Sequence, residues 1–460
     1  MQIVPATAAH HATPKGSLLR VLGVSFGIAV TLGSTIGIGI LRTPGTVAQH
    51  LGSVGLVIAV WAIGGLYAIV GALAVAELAT MLPRAGGWYV YARRALGEYA
   101  GFTVGWINWV SFCTAVASIS IAIGEYAGRL APVLAGRAKA IAVAVLLVFT
   151  LMHWLGVRVG GRAQEWTSFT AALGFVALVV ACFVVGGTTA SVGVEPAGAA
   201  GSTTIAALPV ALAIAFQSVI FTYDGWYGAI YFSEEDTDPT RNLPRAMIGS
   251  VLVIVTLYLL VNLALLHVLP LSRVAASQLA AADAAQVMFG ARGEAIITAL
   301  SVLSLLSVMN AGFMQTARIL YGMSRDGLFL PEVAVVNRRG TPTMALLAGS
   351  AVEILLVVSG TFEKLLAITA FFFVVMYGSG FVSLFVLRAR EPGLPRPFKA
   401  WGYPATVLIA VGLSFVFLVG VIVSDSANSL YALMAMAAGY PVYLTSKRMI
   451  SARATDSGGF

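Results

Sequence analysis

Long apolar runs recur along this 460-residue chain, and they constrain its fold more than any other feature. Hydrophobic residues make up 59% of the chain and charged residues only 10%. Soluble domains carry roughly 25% charged and 45–50% apolar residues. Runs of about 18 or more apolar residues can cross the hydrocarbon core of a bilayer as helices. The sequence therefore predicts an all-α integral membrane protein.

Twelve membrane-spanning helices are predicted, separated by loops too short to hold a soluble domain. Residues 19–447 form one transmembrane domain, between an N-terminal tail of residues 1–18 and a C-terminal tail of residues 448–460. The predicted spans are residues 19–44, 52–80, 99–130, 138–156, 165–187, 205–233, 246–270, 292–323, 342–360, 362–388, 403–423 and 427–446.

The distribution of Lys and Arg predicts the orientation of the spans. Of the 27 Lys and Arg residues, all but seven fall in the two tails and in the loops on their side of the membrane. Cytoplasmic loops are enriched in positive charge. We therefore expect a multi-pass protein of the cell inner (cytoplasmic) membrane with both termini cytoplasmic. The seven residues on the other side are Arg42, Arg129, Arg137, Lys139, Arg273, Arg292 and Lys364.

Several other classes of protein do not fit this sequence. Cys113 and Cys182 lie in separate apolar runs, and no two histidines stand three or four residues apart on an apolar helix, so no metal or other cofactor is expected. The basic residues are scattered over short loops, which argues against nucleic-acid binding. A membrane enzyme would need a nucleophile–base pair or a metal cluster. A channel usually builds its selectivity ring from oligomer symmetry.

Two predicted spans are interrupted near mid-membrane. Span 1 has Gly33, Gly37 and Gly39 within seven residues, and span 6 becomes polar at residues 221–228. Gly33 and Gly37 form a GxxxG motif, which permits close helix packing. Alternatively, both helices are broken, as in transporters with a binding site between two repeats. N–H groups at a half-helix start attract carboxylates and free carbonyls attract ammonium groups, so such a site suits a zwitterion.

Further motifs extend in order over nearly the whole chain: residues 33–40, 76–91, 221–226, 234–235, 241–245, 322–329, 340–342 and 396–404. Together they resemble the amino acid-polyamine-organocation (APC) superfamily, and most closely its L-type amino-acid transporter branch. The resemblance implies a five-plus-five inverted repeat with two extra helices and broken helices 1 and 6. It also implies amino-acid transport by alternating access.

The resemblance further implies a binding pocket. The substrate carboxylate would bind N–H groups of residues 37–39, although family members commonly have Ser where this chain has Ile38. The ammonium group would bind carbonyls of Thr35, Phe221 and Asp224, with Phe221 closing over the substrate. The implied substrate-binding residues are Thr35, Ile36, Gly37, Ile38, Gly39, Phe221, Asp224 and Trp226, which starts the second half of span 6.

Charged residues in or near the spans are rare, and each needs an explanation. We expect Glu77 to pair with a basic residue of the following loop, such as Arg84. Residues 234–238 are predicted to form a solvated connector at the cytoplasmic surface. The Asp224 side chain either caps free backbone groups or contacts the substrate ammonium. Arg42 either snorkels to the interface or attracts carboxylates in the outer vestibule.

The absence of a lysine in span 5 bears on whether transport is coupled to an ion. An ungapped alignment places Ala171 where many relatives carry a lysine that takes the place of a sodium ion. Three outcomes remain: a sodium ion bound by span 1 backbone and a hydroxyl of Ser304 or Ser307, an empty watered site, or a proton carried elsewhere, for which Glu353 is the candidate. We favour transport without a coupling ion, by an exchanger or a facilitator.

The favoured substrate is a neutral L-amino acid. A cationic amino-acid or polyamine carrier, coupled to protons or sodium, is the alternative within the same superfamily. Residues 371–373 are three phenylalanines in span 10, and they offer apolar contacts rather than clustered acids. The exact amino acid, the oligomeric state and any partner subunit are left open by the sequence.

Overall fold

The computed structural model of the protein describes residues 17–186, 208–360 and 362–457. Within these ranges the chain has no β-strand, and its two isolated β-bridges join Leu22 to Asp236 and Val336 to Pro342. The prediction of an all-α protein is confirmed. Most of the predicted N-terminal tail and the whole predicted loop between spans 5 and 6 lie outside the described residues.

The α-helices of the described residues, numbered in chain order, are α1 (Val24–Thr35), α2 (Gly39–Leu51), α3 (Val54–Met81), α4 (Trp88–Leu96), α5 (Glu98–Leu130), α6 (Ala138–Trp154), α7 (Val157–Val185), α8 (Leu208–Tyr223), α9 (Pro239–Val268), α10 (Leu271–Ala276), α11 (Ala280–Phe289), α12 (Ala291–Arg325), α13 (Thr343–Ser359), α14 (Phe362–Arg390), α15 (Ala405–Ser424), α16 (Ser426–Ala437) and α17 (Gly439–Ser457).

Many helices of the protein are long enough to span a membrane. In the described parts of the chain, eight helical segments are long and apolar enough to cross a bilayer. α1 and α2 pass the same test together, as one span bent by 43°. α6 and α13 are shorter apolar helices. The protein is therefore a multi-pass membrane protein. The eight segments are α3, α5, α7, Leu208–Phe232, α9, α12, Phe371–Arg390 and Ala405–Val423.

The outer helices present apolar side chains away from the protein interior. Leu173 on α7 is 67% exposed, Leu355 on α13 is 65% exposed and Val423 on α15 is 78% exposed. In water such surfaces would form large apolar patches that soluble monomers avoid. In a bilayer they face lipid tails.

Long helices surround the junction of α1 and α2. α1 packs against α7, α9 and α12, while α2 packs against α8. α5 packs along both α12 and α14 and forms the opposite wall. The junction between α1 and α2 is therefore enclosed by long helices, as an interrupted backbone in a membrane requires.

Two helix boundaries differ from the prediction. Span 1 is predicted to end at Pro44, but α2 continues to Leu51 and is followed by Gly52, which has a φ of 59°. Pro44 lies inside α2, where it removes the bond to the Ile40 carbonyl and its ring crowds that carbonyl, yet the helix continues past it. The predicted span 427–446 falls on two helices, α16 and α17, and α17 continues through the predicted tail to Ser457.

Candidate functional site

The break in the first span leaves backbone donors free. α1 ends at Thr35 and α2 begins at Gly39. The Gly37 N–H donates to the Thr35 carbonyl at 2.8 Å, so one of the three expected carboxylate donors is already used. Among the described residues, the N–H groups of Ile38 and Gly39 have no acceptor. They lie at the positive end of the α2 dipole, where an anion is stabilised.

The predicted sixth span is interrupted beside the break between α1 and α2. α8 ends at Tyr223, and residues 224–227 form turns that lead into a 3₁₀ helix, Gly228–Phe232. Gly225 has a φ of 106°, a conformation that residues with a Cβ rarely adopt. A Cβ at this position would lie 2.5 Å from the Ser34 carbonyl oxygen. The backbones of the two interruptions are therefore in direct contact.

The three carbonyls expected to bind an ammonium group are not equivalent. A carbonyl oxygen has two lone pairs. That of Thr35 accepts the Gly37 N–H and, at 2.7 Å, the Tyr258 hydroxyl, so it is fully used. That of Phe221 accepts one bond, from the Asp224 N–H at 3.2 Å. The Asp224 carbonyl accepts none from the described residues. Phe221 and Asp224 therefore retain the capacity to accept an ammonium group.

The Asp224 side chain is held by two tyrosines. Its Oδ1 accepts a hydrogen bond from the Tyr227 hydroxyl at 3.1 Å. The Tyr377 hydroxyl on α14 donates to the same oxygen. The sequence left open whether this carboxylate caps backbone or contacts substrate. The structure shows a carboxylate fixed by tyrosines at the edge of a cavity.

That cavity has a volume of about 270 Å³ and lies between the two interruptions. Its apolar wall is formed mainly by α5, α12 and α14. Six of the eight expected binding residues line it: Thr35, Gly37, Ile38, Gly39, Phe221 and Asp224. The apolar wall consists of Phe112, Ala115, Val116, Ile119, Leu305, Val308 and Phe373.

Ile36 and Trp226 lie behind the cavity wall. Ile36 is 1% exposed, and Trp226 is 2% exposed. The Trp226 ring packs 6.0 Å from Trp88 and 5.7 Å from Tyr377, measured between ring centroids. Trp226 therefore supports the tyrosines that hold Asp224 rather than facing the cavity itself.

The expected coupling hydroxyls are engaged in hydrogen bonds. Ser304 on α12 donates to the Ile36 carbonyl. Ser307, one turn later, bonds Ser168 on α7 at 2.9 Å. The Gln164 amide nitrogen donates to Ser168 at 2.8 Å and reaches Ser307 at 3.2 Å. Side-chain hydrogen bonds therefore link α12 both to the break in the first span and to α7.

Two other coupling candidates are buried. Ala171 on α7 is 1% exposed and lies one turn beyond Ser168. Glu353 on α13 is also 1% exposed, and neither of its carboxyl oxygens has a hydrogen-bond partner within the described residues. An ionised carboxylate without a partner is costly in such surroundings. Groups of three or more His, Cys, Asp or Glu side chains able to hold a metal are absent from the described residues.

Glu77 pairs with a different partner from the one expected. Both of its oxygens accept hydrogen bonds from Arg388 at the end of α14, at 2.8 and 2.6 Å, and one also accepts the Ala400 N–H at 2.7 Å. Arg84, the expected partner, pairs with Asp326 instead, at 3.3 Å. The prediction was wrong because the true partner lies far away in the sequence and meets Glu77 only in the folded state.

The connector after span 6 is not uniformly solvated, as the sequence had suggested. Glu235 is fully buried, and its carboxylate accepts two hydrogen bonds from the Arg318 guanidinium on α12, at 2.7 and 2.9 Å. Burial raises the pKa of Glu235, and the charge of Arg318 opposes that rise. The Glu235 carbonyl also accepts the Val21 and Leu22 N–H groups at 3.1 and 3.0 Å. This connector therefore joins three parts of the chain.

Sequence reasoning missed several residues that organise the site: Gln164, Ser168, Tyr227, Tyr258, Arg318 and Tyr377. Each is a polar or charged side chain within or beside an apolar run, which is the available signal. That signal marks a residue as constrained, because polar groups inside a membrane protein need partners. It does not say which partner each residue has.

A multi-pass helical protein with two facing helix interruptions around a small, mostly apolar cavity is a membrane permease in architecture. The model of the amino acid permease family matches residues 22–444, and the chain belongs to that family. The APC resemblance is therefore confirmed. Because this is a family of permeases, we set the enzyme alternative aside.

Curated relatives agree with this assignment. The serine/threonine exchanger SteT of Bacillus subtilis is 27% identical over 95% of this chain and 99% of its own length. The human b(0,+)-type amino acid transporter 1 is 29% identical over 88% of this chain and 82% of its own. The human large neutral amino acids transporter small subunit 2 is 28% identical over 83% and 72%. Amino-acid transport is the activity that these similarities support.

Proposed function

We propose that the chain is a secondary transporter that moves neutral L-amino acids across the cytoplasmic membrane by alternating access, as an ion-independent exchanger. The main support for this proposal is the lining of the cavity. The free N–H groups of Ile38 and Gly39 line one part of it, and the residues with accepting carbonyls, Phe221 and Asp224, line another. A carboxylate suits the first part and an ammonium group suits the second. An amino acid supplies both.

The apolar wall supports a neutral side chain. Phe112, Val116, Leu305 and Phe373 surround the space that remains once the charged ends are placed. The cationic amino-acid or polyamine alternative would require a second anionic group. Among the described lining residues, Asp224 is the only acid, and two tyrosines already hold it.

The exchange mode has two supports. One relative is named as an exchanger. The hydroxyls of Ser304 and Ser307 are occupied by protein groups, and Ala171 supplies no charge. Ser307 already accepts the Gln164 amide at 3.2 Å, so a sodium ion there would have to compete with that donor. The sodium and proton alternatives remain outcomes of the experiments below.

The proposed architecture has twelve spans, a five-plus-five inverted repeat and both termini in the cytoplasm. Release of substrate to the cytoplasm then requires separation of the elements beneath the cavity. These include the pair Glu235–Arg318 and the aromatic group around Trp88 and Trp226. A disulfide-linked partner subunit is not proposed, because the chain's two cysteines are buried.

The test is a competition screen in proteoliposomes, with all twenty L-amino acids and with N-acetyl and methyl-ester derivatives of the best competitors. Neutral L-amino acids should compete best, and each derivative should compete poorly because it lacks one of the two charges. Arginine or spermidine competing better than every neutral amino acid would overturn the proposed substrate class.

A further inference from the structure

Arg42 is the only cationic side chain among the described residues that line the cavity. The residue is partly buried on α2, and its backbone N–H donates to the Ile38 carbonyl at 3.3 Å. Its guanidinium makes no ion pair and no hydrogen bond with any described residue. A guanidinium that loses water without gaining a partner is costly. This position therefore favours an anion that is not part of the protein.

Arg42 lies on the same face of α2 as Gly39, which carries one of the free backbone donors. Arg42 follows Gly39 by three residues, and residues three apart on a helix are neighbours. Long helical side chains lean towards the helix N-terminus, which here is the end with the free N–H groups. Gly39, Arg42 and Thr43 all line the cavity. The arginine and the α2 N-terminus therefore point to one anion site.

Four hydroxyls that line the cavity donate their protons to other protein groups. Thr35 and Ser118 donate to carbonyls one turn earlier, at 2.9 and 2.8 Å. Thr222 does the same at 2.8 Å. Because that uses its only proton, Thr43 must be the donor in the 2.7 Å bond between Thr43 and Thr222. Arg42 is left as a strong side-chain donor near the α2 N-terminus.

We propose that Arg42 binds the α-carboxylate of the substrate together with the N–H groups of Ile38 and Gly39. This assignment rests on the proposed function and sharpens it. A guanidinium matches a carboxylate with two parallel hydrogen bonds. The site then requires a free carboxylate and rejects amines, polyamines and amino-acid amides. Asp224 and the Phe221 carbonyl line the same cavity and are left for the ammonium group, so the two charged groups of the substrate have different receptors.

The test compares acids with amides in proteoliposomes. The probes are L-threonine and L-leucine, each with its carboxamide. The variants are Arg42→Gln, Arg42→Lys and, as a matched control, Arg273→Gln. Arg273 is an exposed arginine on α10, predicted to lie on the same side of the membrane, and it does not line the cavity. Its removal changes the net charge by the same amount.

In Arg42→Gln we expect the half-saturation concentration of both amino acids to rise by roughly 10- to 100-fold, the value of a hydrogen bond to a charged group. The weak binding of the amides should stay unchanged, so the preference for acid over amide should fall by the same factor. Arg42→Lys should recover part of that preference, because lysine keeps the positive charge but cannot make the two parallel hydrogen bonds of a guanidinium. Arg273→Gln should match the wild-type protein.

An unchanged acid-to-amide preference in Arg42→Gln would overturn the assignment, and so would an equal loss for acid and amide. Thermal unfolding in detergent shows whether each variant is folded. If Arg42→Gln does not fold, Arg42→Lys takes its place, and a wild-type preference in that variant is the contradicting result. A wild-type protein that takes up no neutral amino acid would instead remove the proposed function itself.

Discussion

Glu77 and Arg388 are 311 residues apart in the sequence, yet the Arg388 guanidinium donates two hydrogen bonds to the fully buried Glu77 carboxylate. The same carboxylate accepts the Ala400 N–H. It therefore joins α3 to the end of α14 and to the segment that follows.

Replacing Glu77 should destabilise the protein strongly. Glu77→Ala leaves Arg388 without its partner, and loss of one member of a buried pair costs about 3–5 kcal/mol. Thermal unfolding in detergent should show a clearly lower midpoint. Glu98→Ala is the control, because Glu98 is 49% exposed and its pairs lie at the surface, where such pairs contribute about 0–1 kcal/mol. Equal shifts in the two variants would contradict this prediction.

Side chains at Gly39 should block substrate binding. A Cβ at Gly39 would lie 3.0 Å from the Thr222 methyl group, so Gly39→Val forces overpacking beside the free N–H groups. We expect uptake of neutral amino acids to be abolished while the protein remains folded. Gly249→Ala on α9 is the control, because a Cβ there meets no atom within 4 Å. Normal uptake by Gly39→Val would place the substrate elsewhere.

Transport should not need an ion gradient. Proteoliposomes without internal amino acid should not accumulate substrate when a sodium or a pH gradient is imposed, whereas internal amino acid should drive uptake. Ala171→Lys should keep part of the activity, because no sodium ion has to occupy that region. Accumulation driven by either gradient would show that the transporter is ion-coupled.

Glu353→Gln should transport at close to the wild-type rate. The buried carboxyl has no partner in the described residues, so an amide of similar size breaks no hydrogen bond there. Uptake measured across a range of pH in both proteins checks this. A pH dependence present in the wild type and lost in the variant would instead make Glu353 a proton carrier.

The orientation can be tested by labelling single cysteines in intact cells. A cysteine at Ser457 should resist an impermeant thiol reagent, while one at Gln278, in the exposed segment after α10, should react. Ala197, in the loop after span 5, should react as well, although it lies outside the described residues. Background labelling should be low because Cys113 and Cys182 are buried. The reverse pattern would invert the topology.

Local sequence predicted much of this fold because membrane helices are encoded locally. An apolar run such as residues 54–81 has few alternatives to a helix in lipid. The interruption at residues 36–38 was visible because glycines there are unusual in an apolar run. The motifs around it identified the family, and the family indicated six residues that line the cavity.

Partners distant in sequence could not be predicted in the same way. Glu235 looked like part of a solvated turn, because nothing nearby reveals that Arg318 reaches it from another helix. The Thr35 carbonyl looked free until the Tyr258 hydroxyl was located on α9. Hydrogen-bond capacity depends on every neighbour in space, whereas the sequence shows only neighbours along the chain.

Contact between the Gly225 and Ser34 backbones has an evolutionary consequence. The proposed receptor for the amino-acid head group consists largely of peptide groups, which are the same for every residue type. Substitutions in the walls on α5, α12 and α14 can therefore change which side chain is accepted while the head-group receptor persists. New substrate preferences can arise by drift at a few wall positions, and Gly225 is a position where such drift is forbidden.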